Sequence, residues 1–160
     1  MVDFSLSDEQ SMLKEMAHEF AASEVQPNAA KWDRDSSFPR EAIRKAHELG
    51  LLTVKIPEEY GGYGMGSFEE VLICEEIGWG DPGFATAAYS NGLTAAPIIT
   101  GGTEEQKQKY LPRMATGELI GCFGLTEPDY GSNPGGLITK AEDMGCLLYT
   151  SDAADDMQCV

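Results

Sequence analysis

The chain has 160 residues, of which 11 are Lys or Arg and 27 are Asp or Glu, giving a formal net charge of −16. That length suits one domain, or one domain and the start of a second, and 42% hydrophobic with 24% charged residues is the composition of a folded globular chain rather than a disordered one. So large a negative charge repels phosphate backbones and anionic bilayers, which argues against nucleic-acid partners and membrane-surface docking, and no apolar run approaches the roughly 18 residues of a membrane span.

Helix signals begin at Ser7-Asp8-Glu9-Gln10, a capping box in which Ser7 and Gln10 satisfy each other's turn. Met12, Leu13, Met16, Ala17, Phe20, Ala21 and Val25 then follow at helical spacing on one face, and Pro27 is expected to end the helix. A second helix is predicted from about Pro39 to Leu49, with Ile43, Ala46 and Leu49 on its apolar face and Gly50 as a left-handed stop. Leu51 to Ile56 reads as a short apolar connector, and Pro57 to Gly66 as a glycine-rich loop. Ser67-Phe68-Glu69-Glu70 is a second capping box leading a helix to about Ile77. Asp81-Pro82 restarts an Ala-rich helix to about Asn91, and Pro97 and Gly101-Gly102 punctuate the next apolar piece. Thr103-Glu104-Glu105-Gln106 is the third box, for a helix ending near Gly117. Beyond it, Leu119 to Leu125 has the pattern of a short buried strand, Thr126 to Gly136 is a polar turn, and Leu137 to Ala141 is extended again. The fold class is therefore mainly α, a helical unit followed by the first strands of a β unit.

Most candidate sites read as scaffold. Gly62-x-Gly64-x-Gly66 lacks the strand–turn–helix context and the spacing of a dinucleotide loop, so it is expected to shape a turn. His18 and His47 have no partner at metal-ligand spacing and are expected on solvated helix faces, and Glu69-Glu70 and Glu75-Glu76 splay around their helices. Cys74, Cys122, Cys146 and Cys159 form no CxxC pair, which suggests buried, reduced thiols in a cytoplasmic setting; the acidic start of the chain has no secretion-signal order. Phe123 to Gly136 differs from these. It joins a predicted strand end to hydroxyls at Thr126 and Ser132 and to Gly131, Gly135 and Gly136, a combination able either to present amides to a pyrophosphate or simply to connect a hairpin.

Several stretches resemble the acyl-CoA dehydrogenase family. Gly121-Cys122-Phe123-Gly124-Leu125-Thr126-Glu127-Pro128-Asp129-Tyr130-Gly131-Ser132 is similar to its strand-into-T-E-P-x-x-G-S signature. Pro57-Glu58-Glu59-Tyr60-Gly61-Gly62-Tyr63-Gly64, Gly102-Thr103-Glu104-Glu105-Gln106-Lys107-Gln108-Lys109-Tyr110-Leu111-Pro112 and Phe4-Ser5-Leu6-Ser7-Asp8-Glu9-Gln10 match other motifs of the family in order. The resemblance implies a helical domain at 1–117 and the start of a β-barrel-like middle domain, bearing the flavin loop, at 118–143. It also implies an FAD enzyme that introduces an α,β double bond into an acyl-CoA thioester by α-proton abstraction and hydride transfer to flavin N5. By position, Phe123, Leu125 and Thr126 are expected to line the flavin, Gly131 and Ser132 to meet its pyrophosphate, and Ser132 also to face the acyl-CoA substrate. The implied partners are an electron-transferring flavoprotein and further copies of the chain, as a dimer or tetramer.

Tyr130 and Asn133 depart from the family pattern, and residues 144–160 leave it altogether, so this stretch is expected to be a foreign or frameshifted tail. The catalytic Glu of the family has no counterpart here, and the chain alone is expected to be inactive and to hold FAD weakly or not at all. An acyl-CoA oxidase and a non-catalytic helical interaction module are the alternatives.

Overall fold

Ser7 opens the first helix, α1 (Asp8–Phe20), by accepting from the Gln10 amide at 3.1 Å while the Gln10 side chain accepts from the Ser7 amide at 3.0 Å. The structure, a computed structural model, describes residues 5–143 and 148–150, and divides into two compact units, Met1–Gly121 and Cys122–Val160.

In the first unit Pro27 does not end the leading helix. The backbone widens into a π turn over Ala21–Val25 and continues as α2 (Gln26–Asp35). A π turn shifts each amide to the fifth carbonyl back, as Gln26 does to Ala21, and puts Pro27 in the first turn of α2, where a missing N–H costs least. The Asn28 side chain supplies a donor there, to the Glu24 carbonyl at 2.9 Å. Ser36, in the left-handed region at φ 48°, closes α2.

α3 (Arg40–Glu48) buries Ala42, Ile43, Ala46 and His47, and leaves Leu49 46% exposed, contrary to the predicted face. At 100° per residue the centre of that buried stripe lies about 90° from Leu49, and His47 takes the inward position. Gly50 at φ +71° is the expected stop. The connector after it is core, with Leu51, Leu52, Val54 and Ile56 each at most 1% exposed.

α4 (Ser67–Gly80) has no capping box. Gly66 takes the extended N-cap conformation, so Ser67 falls inside the first turn and caps nothing, and the Gln10 side-chain amide of α1 holds Glu69 instead, at 2.9 Å. α5 (Pro82–Gly101) is one continuous helix rather than two pieces; Asp81 caps it through the Phe84 amide at 2.6 Å. Pro97 is accommodated because it and Leu93, whose carbonyl it leaves unpaired within the helix, lie on the exposed face. α6 (Glu104–Ala115) opens with the expected Thr103/Gln106 box, and Gly117 at φ +74° follows it.

α1 packs along α4, and Phe20, Ile43, Leu52, Ile73, Ile77 and Phe84 form the centre of the main core, with Trp32 stacked on Phe84 at 5.5 Å between ring centres. A second cluster of Ile56, Tyr60, Ala95, Leu111 and Met114 joins α5 to α6. Asn91, 1% exposed on α5, fastens the end of this unit: its side-chain amide donates to the carbonyls of Leu119 (2.9 Å) and Met114 (3.4 Å), and its oxygen accepts from the Gly121 amide at 2.5 Å.

Leu119 to Leu125 is not the predicted buried strand. No ladder forms over it among the described residues, and Ile120, Cys122, Phe123, Gly124 and Leu125 are exposed. An apolar run becomes a strand only when a neighbouring strand meets its amides and carbonyls, and here Asn91 meets those at its start. In the second unit, β1 (Ala141–Asp143) pairs antiparallel with β2 (Leu148–Thr150), Glu142 opposite Tyr149. Apart from the backbone of β2, the expected off-pattern tail lies outside the described residues. No helix among the described residues is long and apolar enough to cross a membrane.

The caps differ in consequence. Ser7→Ala should cost about 1 kcal/mol in urea unfolding, Ser67→Ala close to nothing, and Asn91→Ala, which strands buried backbone groups, about 2–4 kcal/mol. Equal effects at Ser7 and Ser67 would contradict the cap assignment.

His47 is 8% exposed, not solvated; neither ring nitrogen makes a hydrogen bond of good geometry, and a Cβ added at Gly117 would sit 2.5 Å from its ring. Burial holds its pKa below the usual histidine value, against a weaker opposite pull from the Ala115 backbone. The unfolded chain therefore binds this proton first, so stability should be full above about pH 6.5 and decline as pH falls toward the folded-state pKa. Urea midpoints measured between pH 7.5 and 5 should show this slope in the unaltered protein and a shallower one in His47→Gln; parallel slopes would remove His47 as the cause.

Candidate functional site

The second unit is organised around a short turn. Pro128 presets the backbone angle favoured at the second position of a tight turn, and the Glu127 and Tyr130 backbones bond in both directions, Glu127 amide to Tyr130 carbonyl at 3.2 Å and Tyr130 amide to Glu127 carbonyl at 3.1 Å. Pro134–Gly136 forms one 3₁₀ turn, closed by the Gly136 amide on the Asn133 carbonyl at 3.1 Å. The Tyr130 ring lies directly over Gly136, where any Cβ would overlap it, so the departure from the family pattern at Tyr130 is matched by the absent side chain at Gly136.

The Glu127 side chain crosses this loop. It is 6% exposed, and its oxygens accept from the Ile138 amide at 2.9 and 3.2 Å and from the Thr139 amide at 2.7 Å. The Ile138 amide, then the hydroxyl and amide of Thr139, hold its carboxyl below the usual carboxylate range. Charge patterns pointed to no role for Glu127, since a single acidic residue in a polar turn normally faces water; its place inside the T-E-P signature was the available signal.

The residues singled out by position face outward. Phe123 and Leu125 are each 43% exposed, and Thr126, Gly131 and Ser132 are exposed. Among the described residues, the loop's hydrogen bonds use the amides of Glu127, Tyr130, Gly136, Leu137, Ile138 and Thr139, and none of those of Thr126, Gly131 or Ser132. The face thus offers two apolar side chains, two hydroxyls and uncommitted amides, with no Lys or Arg between residues 122 and 136. That donor set fits a flat apolar ring with a polar rim and an anion held by amides and hydroxyls rather than by cations.

Other candidates resolve as scaffold or surface. In the glycine loop, the amides of Gly62, Gly64 and Met65 bond to the carbonyls of Pro57, Ile56 and Val54, and a Cβ at Gly62 would overlap the Ile56 carbonyl, so these glycines shape the turn. His18 lies 2.7 Å from Glu76 and against the Trp79 ring, and Lys14 reaches Glu76 at 3.3 Å; these pairs tie α1 to α4 at a half-wet surface. Burial alone would raise the Glu76 carboxyl, but hydrogen bonds from His18 and Lys14 outweigh it and hold it low. Burial pushes the half-buried Cys74 thiol up, as expected of an inert thiol. Cys122 is exposed rather than buried, because the segment that carries it is not a core strand. Cys146 and Cys159 lie outside the described residues. No cluster of His, Cys, Asp and Glu able to hold a metal occurs among the described residues.

Compared with known proteins, residues 7–118 match the family described as acyl-CoA dehydrogenase, N-terminal domain. Over 146 residues the chain is 43% identical to the probable acyl-CoA dehydrogenase YngJ of Bacillus subtilis (strain 168), a match covering 90% of this chain and 38% of that protein. Among solved structures it is similar to a glutaryl-coenzyme A dehydrogenase in complex with glutaryl-CoA, with 38% identity and a TM-score of 0.86 over 93% of this chain and 39% of the other. A glutaryl-CoA dehydrogenase from Mycobacterium smegmatis in complex with FADH2 is similar at 35% identity and a TM-score of 0.80, over 88% of this chain and 36% of the other. The chain spans well under half the length of these relatives.

Proposed function

Since the chain belongs to the acyl-CoA dehydrogenase family, whose N-terminal helical domain it carries, we propose that residues 122–136 form one wall of an FAD site. The whole enzyme would introduce an α,β double bond into an acyl-CoA thioester. The observation that carries this reading is the outward face on which Phe123 and Leu125 stand beside the hydroxyls of Thr126 and Ser132, while the Glu127 carboxylate is turned inward. The similarity to a solved FADH2 complex supports it.

FAD, when bound, supplies the acceptor for the hydride that leaves the β-carbon. The chain's own residues bind and orient it. Phe123 and Leu125 cover apolar ring surface and keep water from it, and Thr126 donates a hydrogen bond at the ring's polar edge. The Gly131 amide and the Ser132 hydroxyl meet the pyrophosphate, and Ser132 also faces the acyl-CoA. Holding an anion with amides and hydroxyls suits a chain whose net charge is −16, because these donors bring no long cationic side chain to be drawn to the surrounding carboxylates. No residue of this chain is assigned as the base that removes the α-proton. Domains at 1–117 and 118–143, a homodimer or homotetramer, and delivery of electrons to an electron-transferring flavoprotein belong to the same reading. The thiols of half-buried Cys74 and exposed Cys122 suit the reducing, cytoplasmic setting it supposes.

Titrating FAD into the purified chain, followed by flavin fluorescence, should give weak but saturable binding and no turnover of an acyl-CoA with an artificial electron acceptor. Ser132→Ala should weaken that binding about fivefold to tenfold, the loss of one hydroxyl donor to a charged group. A titration that never saturates, or one that Ser132→Ala leaves unchanged, rejects the assignment of this loop.

A further inference from the structure

We infer that Glu127 is a positioning residue for this flavin contact: by closing on the amides of Ile138 and Thr139, its carboxylate sets where the hydroxyls of Thr126 and Ser132 stand. The inference rests on the proposed flavin site. The two turns in the loop, at Glu127–Tyr130 and Pro134–Gly136, are local and do not fix the separation of the loop's two sides. Among the described residues, the hydrogen bonds that cross it, over 11 and 12 residues, are those the Glu127 side chain accepts. The Tyr130 ring over Gly136 adds contact and no directional bond.

The geometry of neighbouring side chains carries the rest. Glu127 is buried while Thr126 directly before it is exposed, so the inward carboxylate and the outward hydroxyl leave the chain on different sides. Ser132 stands two residues past Tyr130, where the tight turn that Glu127 begins is completed. A carboxylate is seldom buried without compensation, and a polar connection between two segments needs no charge. Here the charge is directed at two successive amides, which a neutral side chain of the same length meets only in part, because the NH2 that replaces one oxygen cannot accept the shorter bond from Ile138. The same bonds occupy both Glu127 oxygens, so this carboxylate is not a free base directed at a substrate.

The test uses the full 160-residue chain with FAD itself as the probe. Amide hydrogen exchange by NMR, without FAD, should show protection at Ile138 and Thr139 that is lost in Glu127→Ala and partly kept in Glu127→Gln. Fluorescence titration should show FAD binding weakened about tenfold in Glu127→Ala and roughly threefold in Glu127→Gln. The decisive arm is a double-mutant cycle: Ser132→Ala should weaken binding in the unaltered chain and have little further effect once Glu127 is Ala. Loss of amide protection with FAD affinity intact, or a full Ser132→Ala effect persisting in Glu127→Ala, would overturn the positioning role and leave the flavin site standing. An unaltered chain that takes up no FAD saturably would overturn both. Circular dichroism separates these outcomes from general unfolding, and if Glu127→Ala does not fold, the same cycle run on Glu127→Gln decides between them.

Discussion

Backbone amides and carbonyls that leave regular structure inside a protein have to be met by something, and this chain meets them with a few buried polar side chains. Asn91, almost fully enclosed on α5, takes up the carbonyls of Met114 and Leu119 and the amide of Gly121 as the helical unit ends. Glu127 does the equivalent in the next unit, receiving the amides of Ile138 and Thr139. Neither residue is apolar, and neither belongs to the hydrophobic clusters that stabilise the helices. Burial of each is favourable because an unpaired peptide group in its place costs more than the ordering of one side chain.

That division of labour shapes the outward face of the loop. The helices supply mass and rigidity through Ile73, Ile77, Phe84 and their neighbours. The loop after them has little apolar material of its own to bury, so hydrogen bonds to a single carboxylate and one aromatic ring over a glycine define it. Such a loop turns its remaining apolar residues and hydroxyls outward, which is the disposition a cofactor wall needs. In a chain with an excess of carboxylates, turning one of them inward also lowers the negative charge presented to an anionic ligand.

Much of the helical unit was legible in the residue order, because its signals are local. The capping boxes at Ser7 and Thr103, the helix restart at Asp81-Pro82, the left-handed stop at Gly50 and the helix end near Gly117 involve residues within about one turn of each other. Expectations failed where a local signal had two solutions. Pro27 was accommodated by a π turn instead of ending the helix, and Gly66 displaced Ser67 from the cap by being equally able to adopt extended backbone. His47 and Leu49 exchanged roles because the direction from which the core approaches α3 is not written in α3.

Composition and short-range spacing by themselves determined that this is a mainly helical, acidic chain and where most of its helices start, and the order of its motifs carried the resemblance to a family. Only the tertiary structure decided that Leu119 to Leu125 is not a core strand, that Asn91 holds its beginning, and that Glu127 points in while Thr126 and Ser132 point out. The physical reason is range: a cap is made within one turn of helix, whereas the partner of Asn91 lies 28 residues away and that of Glu127 lies 11. Nothing in the intervening residues encodes those meetings until the chain has folded back on itself.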